Sequence, residues 1–504
     1  MSLLILILFP LIFAAIIAAD SRFGDKSAGK ASMLAQIILL GLMCNHMGST
    51  KVFSLDWIPD ANLHLRFQWD GLSSLFVLLT GIVTLAAQAA LYLSGKSDRR
   101  MLALIFVLES ALIGVFTARH FIPWFLCWEM TLIPAWLLIR QWGGAGAPKA
   151  ALRFFLMTLG GSAFMLVGFL ALQLSVGTMD FDALGQLAAQ GALADAMGAS
   201  FDFTGQCGHT ILTWVALAVF LGLAVKIPIV PFHAWLPAAY AEAPTPVTML
   251  LTGLLSKMGV FAMLRVFLPV FPEVLPALAP LLTWLAVATV LLGAVAALAQ
   301  TDLKRMLAYS SVNHLGYCAL AIAAVAASQS DRSAMSSALS GTVLQAFNHG
   351  IIASALFFGI SILESRSGGQ RGLNDFGGLR AQTPVFCGLF GIAVFASLGL
   401  PGLSGFIGEF LIFNGAFALV PGATALSVIG LLLTAVFLLR MMRKVFWGPL
   451  KPSLSKWQDL SKPERYTFGF LVLLIVLYGL APSIPLDFAN PAIVELLDLL
   501  HPAP

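Results

Sequence analysis

About fourteen apolar stretches, each close to the length of a membrane-crossing helix, occupy most of this chain and leave it few folds to choose from. A crossing of the hydrocarbon core takes about 20 mostly apolar residues. The stretches run Leu3–Ala19, Ala31–Met47, Leu72–Leu93, Met101–Phe116, Phe121–Ile139, Ala150–Val176 and Ile211–Val230. They continue as Val247–Leu268, Val274–Leu298, Met306–Ala326, Ala334–Leu363, Pro384–Leu400 with Phe406–Leu419, Thr424–Met441 and Thr467–Ala481. They are apolar all round, whereas a soluble helical bundle needs polar outer faces. Only 10% of the 504 residues are charged, against about 25% in a soluble domain. The expected fold is an all-α integral membrane protein of about 14 transmembrane helices. With no basic residue ahead of it, the first stretch reads as a retained helix rather than a signal peptide.

The basic residues orient these helices, because cytoplasmic loops collect Lys and Arg. Odd-numbered connections hold 21 of them, including Arg22, Lys96, Lys304, Arg371 and Arg443. Even-numbered connections hold 5: Lys51, Arg66, Arg119, Arg265 and Arg332. Odd loops are therefore expected in the cytoplasm, with both termini outside. The formal net charge of +4 serves this topology and says little about partners. The longest outward loops, Gly48–Asp70 and Gly177–Thr210, are too short for a separate domain. In the second, Asp180, Asp182, Asp195 and Asp202 read as solvated loop charges.

Two spans are interrupted. The seventh stops at Lys226–Pro231 (K-I-P-I-V-P) and passes through Phe232–Pro237; the twelfth stops at Leu400–Gly405 (L-P-G-L-S-G) and resumes at Phe406–Phe410. Paired interruptions of this kind mark inverted repeats with ion sites at the broken helices. The expected organisation is helices 1–3 in residues 1–100, a first five-helix repeat (helices 4–8) in 101–270, and a second, inverted repeat (helices 9–13) in 271–446. An amphipathic connection and helix 14 fill 447–504.

Charges inside these spans are the candidates for function. A lysine at membrane depth costs about 3 kcal/mol or more, and Lys226 lies beside two helix-breaking prolines, Pro228 and Pro231. Glu129, in C-W-E-M-T-L-I-P, is either a structural carboxyl or the partner of Lys226; opposite charges a few ångström apart tune each other's proton affinity. Lys257 lies about ten residues from either end of its span, too deep for easy snorkelling, and a desolvated lysine can act as a proton carrier. Glu409 follows the second break, as a helix-dipole cap or as a terminal proton donor or acceptor. His233, His314 and His349 fall in or beside these segments; they read as hydrogen-bonded core or as proton relays. Ser256, Ser310, Ser311, Asn313, Asn348, Thr252 and Tyr309 suit water placement or helix packing. Glu109 is buried, with its role open between structure and proton linkage.

No covalent chemistry is indicated. The chain lacks G-x-G-x-x-G, Walker and H-E-x-x-H patterns. Its five cysteines, Cys44, Cys127, Cys207, Cys318 and Cys387, form no C-x-x-C pair, which argues against zinc, iron–sulfur and disulfide frameworks. The chain is expected to move charge without carrying a redox group.

The stretch A-V-K-I-P-I-V-P-F-H-A-W-L-P-A-A-Y-A-E-A-P-T, then L-L-S-K, then Q-T-D-L-K-R-M-L-A-Y-S-S-V-N-H-L-G-Y, closely resembles the antiporter-like membrane subunits of respiratory complex I. Mrp cation/proton antiporters and membrane-bound hydrogenases share that core. Glu409 stands where the L- and N-type subunits typically carry lysine, no lateral helix follows the core before Pro504, and W-D-G-L-S opens the third helix. All three features resemble the M-type subunit. The resemblance implies a proton-translocating subunit of a bacterial inner-membrane NADH–quinone oxidoreductase. In that role Glu129 and Lys226 form a modulating ion pair, Lys257 is the central carrier reached near His233, and His314 and His349 lead to Glu409. It also implies L- and N-type neighbours, no nucleic acid, and no cofactor in this chain. NADH, FMN, iron–sulfur clusters and quinone belong to partner subunits, whose quinone reduction drives the transport. Two departures stand out: Ala238, Ala239 and Tyr240 replace the family's usual D-A-H, and Arg119-His120 is basic where an acid is common. The alternatives are an Mrp-type or hydrogenase subunit and a passive membrane scaffold.

Overall fold

A computed structural model describes residues 2–19, 24–58, 63–202, 205–328 and 331–500; Arg22 lies outside them. Among the described residues twelve helices are long and apolar enough to cross a membrane. The shorter apolar helices Leu3–Ala19, Pro384–Ser397 and Ser404–Leu419 accompany them. The last two flank the break expected in the twelfth span. The helices around Gly71–Leu93, Thr245–Val270, Leu303–Ala327 and Arg332–Ser367 form the buried centre, while Ala147–Val176 and Pro421–Phe446 turn apolar side chains outward.

Several aspartates on the loops start helices. Asp98, Asp302 and Asp331 each accept a backbone N–H in the following first turn. These donors would otherwise lack partners, and capping them stabilises a helix by about 1 kcal/mol. Asp70 does the same for Ser73 at 2.8 Å.

At one end of the bundle the chain departs from the expectation of plain loops. Lys51–Ile58 and Leu63–Trp69 form an antiparallel hairpin, and Phe67 bridges to Ala118. Phe181–Ala189 and Ala192–Ser200 are short helices. Asp180 and Asp182 are not solvated loop charges. Arg66 bonds Asp180 at 2.7 Å and Asp182 at 2.8 Å, and Arg119 reaches Asp182 at 3.0 Å. Only Asp195 and Asp202 of that group are exposed. Partial burial explains the pairing, because a carboxylate leaving water needs a cation or several N–H donors. The C-terminal helix Ser483–Leu500 also lay outside the sequence expectation. It packs across this end, and its Phe488 carbonyl lies where a Cβ on Gly71 would have to go.

Asp70 anchors the network. Its carboxylate pairs with Arg119 and, at 2.6 Å, with Arg265. Burial pulls its proton affinity up, but Arg265, Arg119 and the Ser73 N–H outweigh that, so it titrates below the ordinary aspartate value. A carboxyl depressed in this way stabilises the native state above its unfolded value, near 3.8, and loses that contribution as pH falls through the native value. Asp70→Asn should destabilise the purified assembly by about 3 kcal/mol at neutral pH, since it strands two arginines. Thermal melts of both proteins from neutral to acid pH check this: the gap should close below the ordinary aspartate value.

Candidate functional site

Lys257 is fully buried in the Thr245–Val270 helix, between π-helical turns at Leu251–Leu255 and Met263–Phe267. π turns often occur at functional sites, where the widened ladder re-aims carbonyls and side chains. The Lys257 ammonium donates to the Thr252 carbonyl at 2.5 Å and faces His349 Nδ1 at 2.7 Å. An ammonium only donates, so His349 Nδ1 accepts and this ring carries its proton on Nε2.

From His349 the contacts continue. Its ring centroid lies 5.2 Å from that of His314, on the Leu303–Ala327 helix. His314 Nδ1 lies 2.7 Å from the Ser310 carbonyl, and Nε2 lies 3.0 Å from the Ser397 carbonyl and 3.5 Å from Glu409 Oε1. Carbonyls only accept, so a neutral ring satisfies one side and an imidazolium satisfies both. A second proton on His314 would bond the Ser397 carbonyl beside Glu409. A cavity of about 10 Å³ against Ser310, Ser311, His349 and Ser397 is of the order needed for one water.

The second break supplies much of this. Helix Pro384–Ser397 ends at Ser397, whose carbonyl faces His314, and Asn348 Nδ2 donates to the Ser404 carbonyl at 2.7 Å. Irregular backbone at membrane depth is satisfied by neighbouring polar side chains, as such breaks require. Gly399, at φ 70°, brings the backbone against the Glu409 carboxyl, and a Cβ there would meet Oε2 at 2.5 Å. Glu409 does not cap its helix: Leu403 holds the N-cap position without a side-chain hydrogen bond. The carboxyl accepts instead from Gln345 at 3.4 Å.

The first break is arranged differently. Lys226 Nζ is buried, 3.4 Å from Thr131 Oγ1 and 5.1 Å from the centre of the Trp128 ring. The structure brings Lys226 against the Glu129 segment but forms no ion pair between the two within 4 Å. Trp128 and Thr131 take the places nearest the ammonium because Glu129, on the same short helix, is half-exposed. His233 is half-buried, with its ring 6.3 Å from that of Tyr309. It is not bonded to Lys226 or Lys257. Thr252 and Ser311 hydroxyls meet at 3.0 Å beside the axis, while Asn313 bonds Tyr317 and Thr434. Glu109 lies apart, accepting from Gln36 at 2.6 Å.

Sequence reasoning missed Gln345, although Gln345, Asn348 and His349 share one helical face at i, i+3 and i+4. It also missed the chamber at the lysine- and arginine-rich end. This cavity of about 400 Å³ is lined by Glu242, Lys304, Glu364 and Arg371. Thr245, which opens the Lys257 helix, bonds Glu364 there, so one end of that helix meets a polar chamber and its middle carries the buried lysine.

The sequence profile described as NADH:quinone oxidoreductase/Mrp antiporter, TM, matches residues 118–436. The chain is 33% identical to NADH-quinone oxidoreductase subunit M of Rickettsia felis, covering 98% of this chain and 97% of that one. It is also 33% identical to subunit M of Rhodobacter capsulatus, over 99% and 96%. Among solved structures, a chain of respiratory complex I from Thermus thermophilus with bound NADH superposes with TM-score 0.85 at 28% identity, over 99% of this chain and 100% of that one.

Proposed function

Because the chain belongs to the NADH:quinone oxidoreductase/Mrp antiporter transmembrane family, we propose that it is a proton-translocating membrane-arm subunit of a bacterial complex I. The observation that carries this reading is the succession of close approaches from Lys257 through His349 and His314 to Glu409. Four groups that can each bind and release a proton stand on four different helices, so small helix movements change their spacing.

The transfer follows the order of these approaches. Lys257 gives a proton to His349 Nδ1, to which it already donates. His349 passes one on, directly or through the water-sized cavity, to His314. His314, doubly protonated between two carbonyls, releases it to Glu409. The chamber of Glu242, Lys304, Glu364 and Arg371 is the entry side, and Lys226 with Glu129 sets the charge next to the path. Broken helices five spans apart support the two inverted repeats, 101–270 and 271–446. The segregation of basic residues supports cytoplasmic odd loops and outward termini.

Quinone reduction belongs to partner subunits, as do NADH, FMN and iron–sulfur clusters. L- and N-type subunits are the expected neighbours in the membrane arm. Deleting the gene should abolish NADH-driven acidification by inside-out vesicles, and a plasmid copy should restore it. NADH-dependent pumping at the wild-type level without this chain would overturn the assignment.

A further inference from the structure

We propose that the interface of helices Asp25–His46, Gly71–Leu93 and Arg99–Thr117 holds a second hydrated proton path, ending at Glu109 and separate from the Lys257–Glu409 axis. Seven buried polar atoms gather at this interface without a protein partner: Ser32 Oγ, Gln36 Oε1, Thr84 Oγ1, both amide atoms of Gln88, Ser97 Oγ and Glu109 Oε2. Ser32, Gln36, Thr84, Gln88 and Glu109 are each at most 1% exposed. One orphaned polar group in a core is a local cost. Seven at one interface are stable when water fills the space between them.

The register places them in a file. The first two helices are antiparallel, as two close approaches show. A Cβ on Gly29 would meet Tyr92 at 2.9 Å and Ser97 at 3.0 Å, and one on Gly81 would meet Leu40 and Met43 at 2.8 Å. Between these points Ser32 and Gln36, one turn apart, oppose Thr84 and Gln88. Ser97 marks the mouth, between Lys96 and the basic residues Arg99 and Arg100 at the cytoplasm-facing end. Gln36 marks the inner end, donating at 2.6 Å to Glu109 Oε1 and at 3.3 Å to the Gly81 carbonyl. Beyond it the interface closes with Leu39, Met43 and Phe76, all fully buried.

Water along the unpartnered polar atoms on one side and the apolar closure on the other would make a half-channel. Gln36 is the bonded neighbour of Glu109, and among the described residues no charged side chain is bonded to it. A carboxyl this deep without a counter-charge rests as the acid. Oε1 accepts from Gln36, so the proton sits on Oε2 and points into the file. The site therefore exchanges one proton with the cytoplasmic side, ending at Glu109, which is bonded to none of Lys257, His349, His314 and Glu409.

Infrared difference spectroscopy on the intact purified complex tests this. The expected wild-type spectrum has a buried carboxylic acid C=O band that Glu109→Gln removes and that shifts within seconds of transfer to D₂O. Gln88→Leu, which dries the file and leaves Glu109 in place, should slow that shift by about tenfold or more. A band that fails to shift over hours, or one that shifts equally fast in Gln88→Leu, overturns the proposal. The readout is proton exchange and not pumping, so failure here leaves the Lys257 reading standing, and failure of that reading leaves this one.

Discussion

Lys257→Met should reduce proton translocation by the reconstituted complex about 100-fold, the usual scale for losing a positioned proton-transfer group. Methionine nearly matches the lysine stem in volume, and removing a buried charge spares the fold an unpaired ion. The complex should therefore assemble, and the loss should lie in transport. Lys257→Arg separates the two readings of this residue. Arginine keeps the positive charge but does not give up its proton. If Lys257 carries protons, Arg should be as inactive as Met. If Lys257 only fixes helix packing by its charge, Arg should retain most of the pumping. Assembly on native gels and acidification of proteoliposomes driven by NADH check both variants.

Glu409→Gln should cost about the same, roughly 100-fold, for a different reason. The amide fits the carboxyl's place beside Gly399 and keeps a carbonyl for Gln345 Nε2. Packing is preserved while the proton acceptor for His314 is lost. A helix-capping role would make this substitution nearly silent, and the position of Leu403 at the cap already leaves no such role. Glu409→Asp keeps the acid but draws it back by one methylene from a contact that is already 3.5 Å long. It should fall between wild type and Gln in pumping rate. Full activity in Glu409→Gln would remove Glu409 from the path.

The outline of this site was legible because membrane depth makes charges rare. Lys226, Lys257 and Glu409 stood out in apolar runs, and His314 and His349 lay on neighbouring spans. The structure joins Lys257 and Glu409 through both histidines. The π turns around Lys257 were not legible: residue identity marks apolarity and breakers, while a one-residue widening of a helix depends on packing. Nor was the detail at Lys226. Charge complementarity suggested direct pairing with Glu129, whereas the helix turns Trp128 and Thr131 toward the ammonium. Asp180 and Asp182 misled for the opposite reason. Polar loops look solvated one at a time, and only the hairpin Lys51–Ile58 with Leu63–Trp69 brings Arg66 onto both acids. Gln36 and Gln88 gave no signal, because the unpartnered Gln36 Oε1 and Gln88 amide appear only once three helices are packed.

The decisive measurement is the ratio of protons moved per NADH oxidised in proteoliposomes holding wild type, Lys257→Met, Glu409→Gln and the double variant. If both residues lie in series on one path, the double variant should pump no less than either single one, because a path already cut loses nothing further. Losses that add up in the double variant, or a wild-type ratio in either single one, would contradict a continuous route from Lys257 to Glu409.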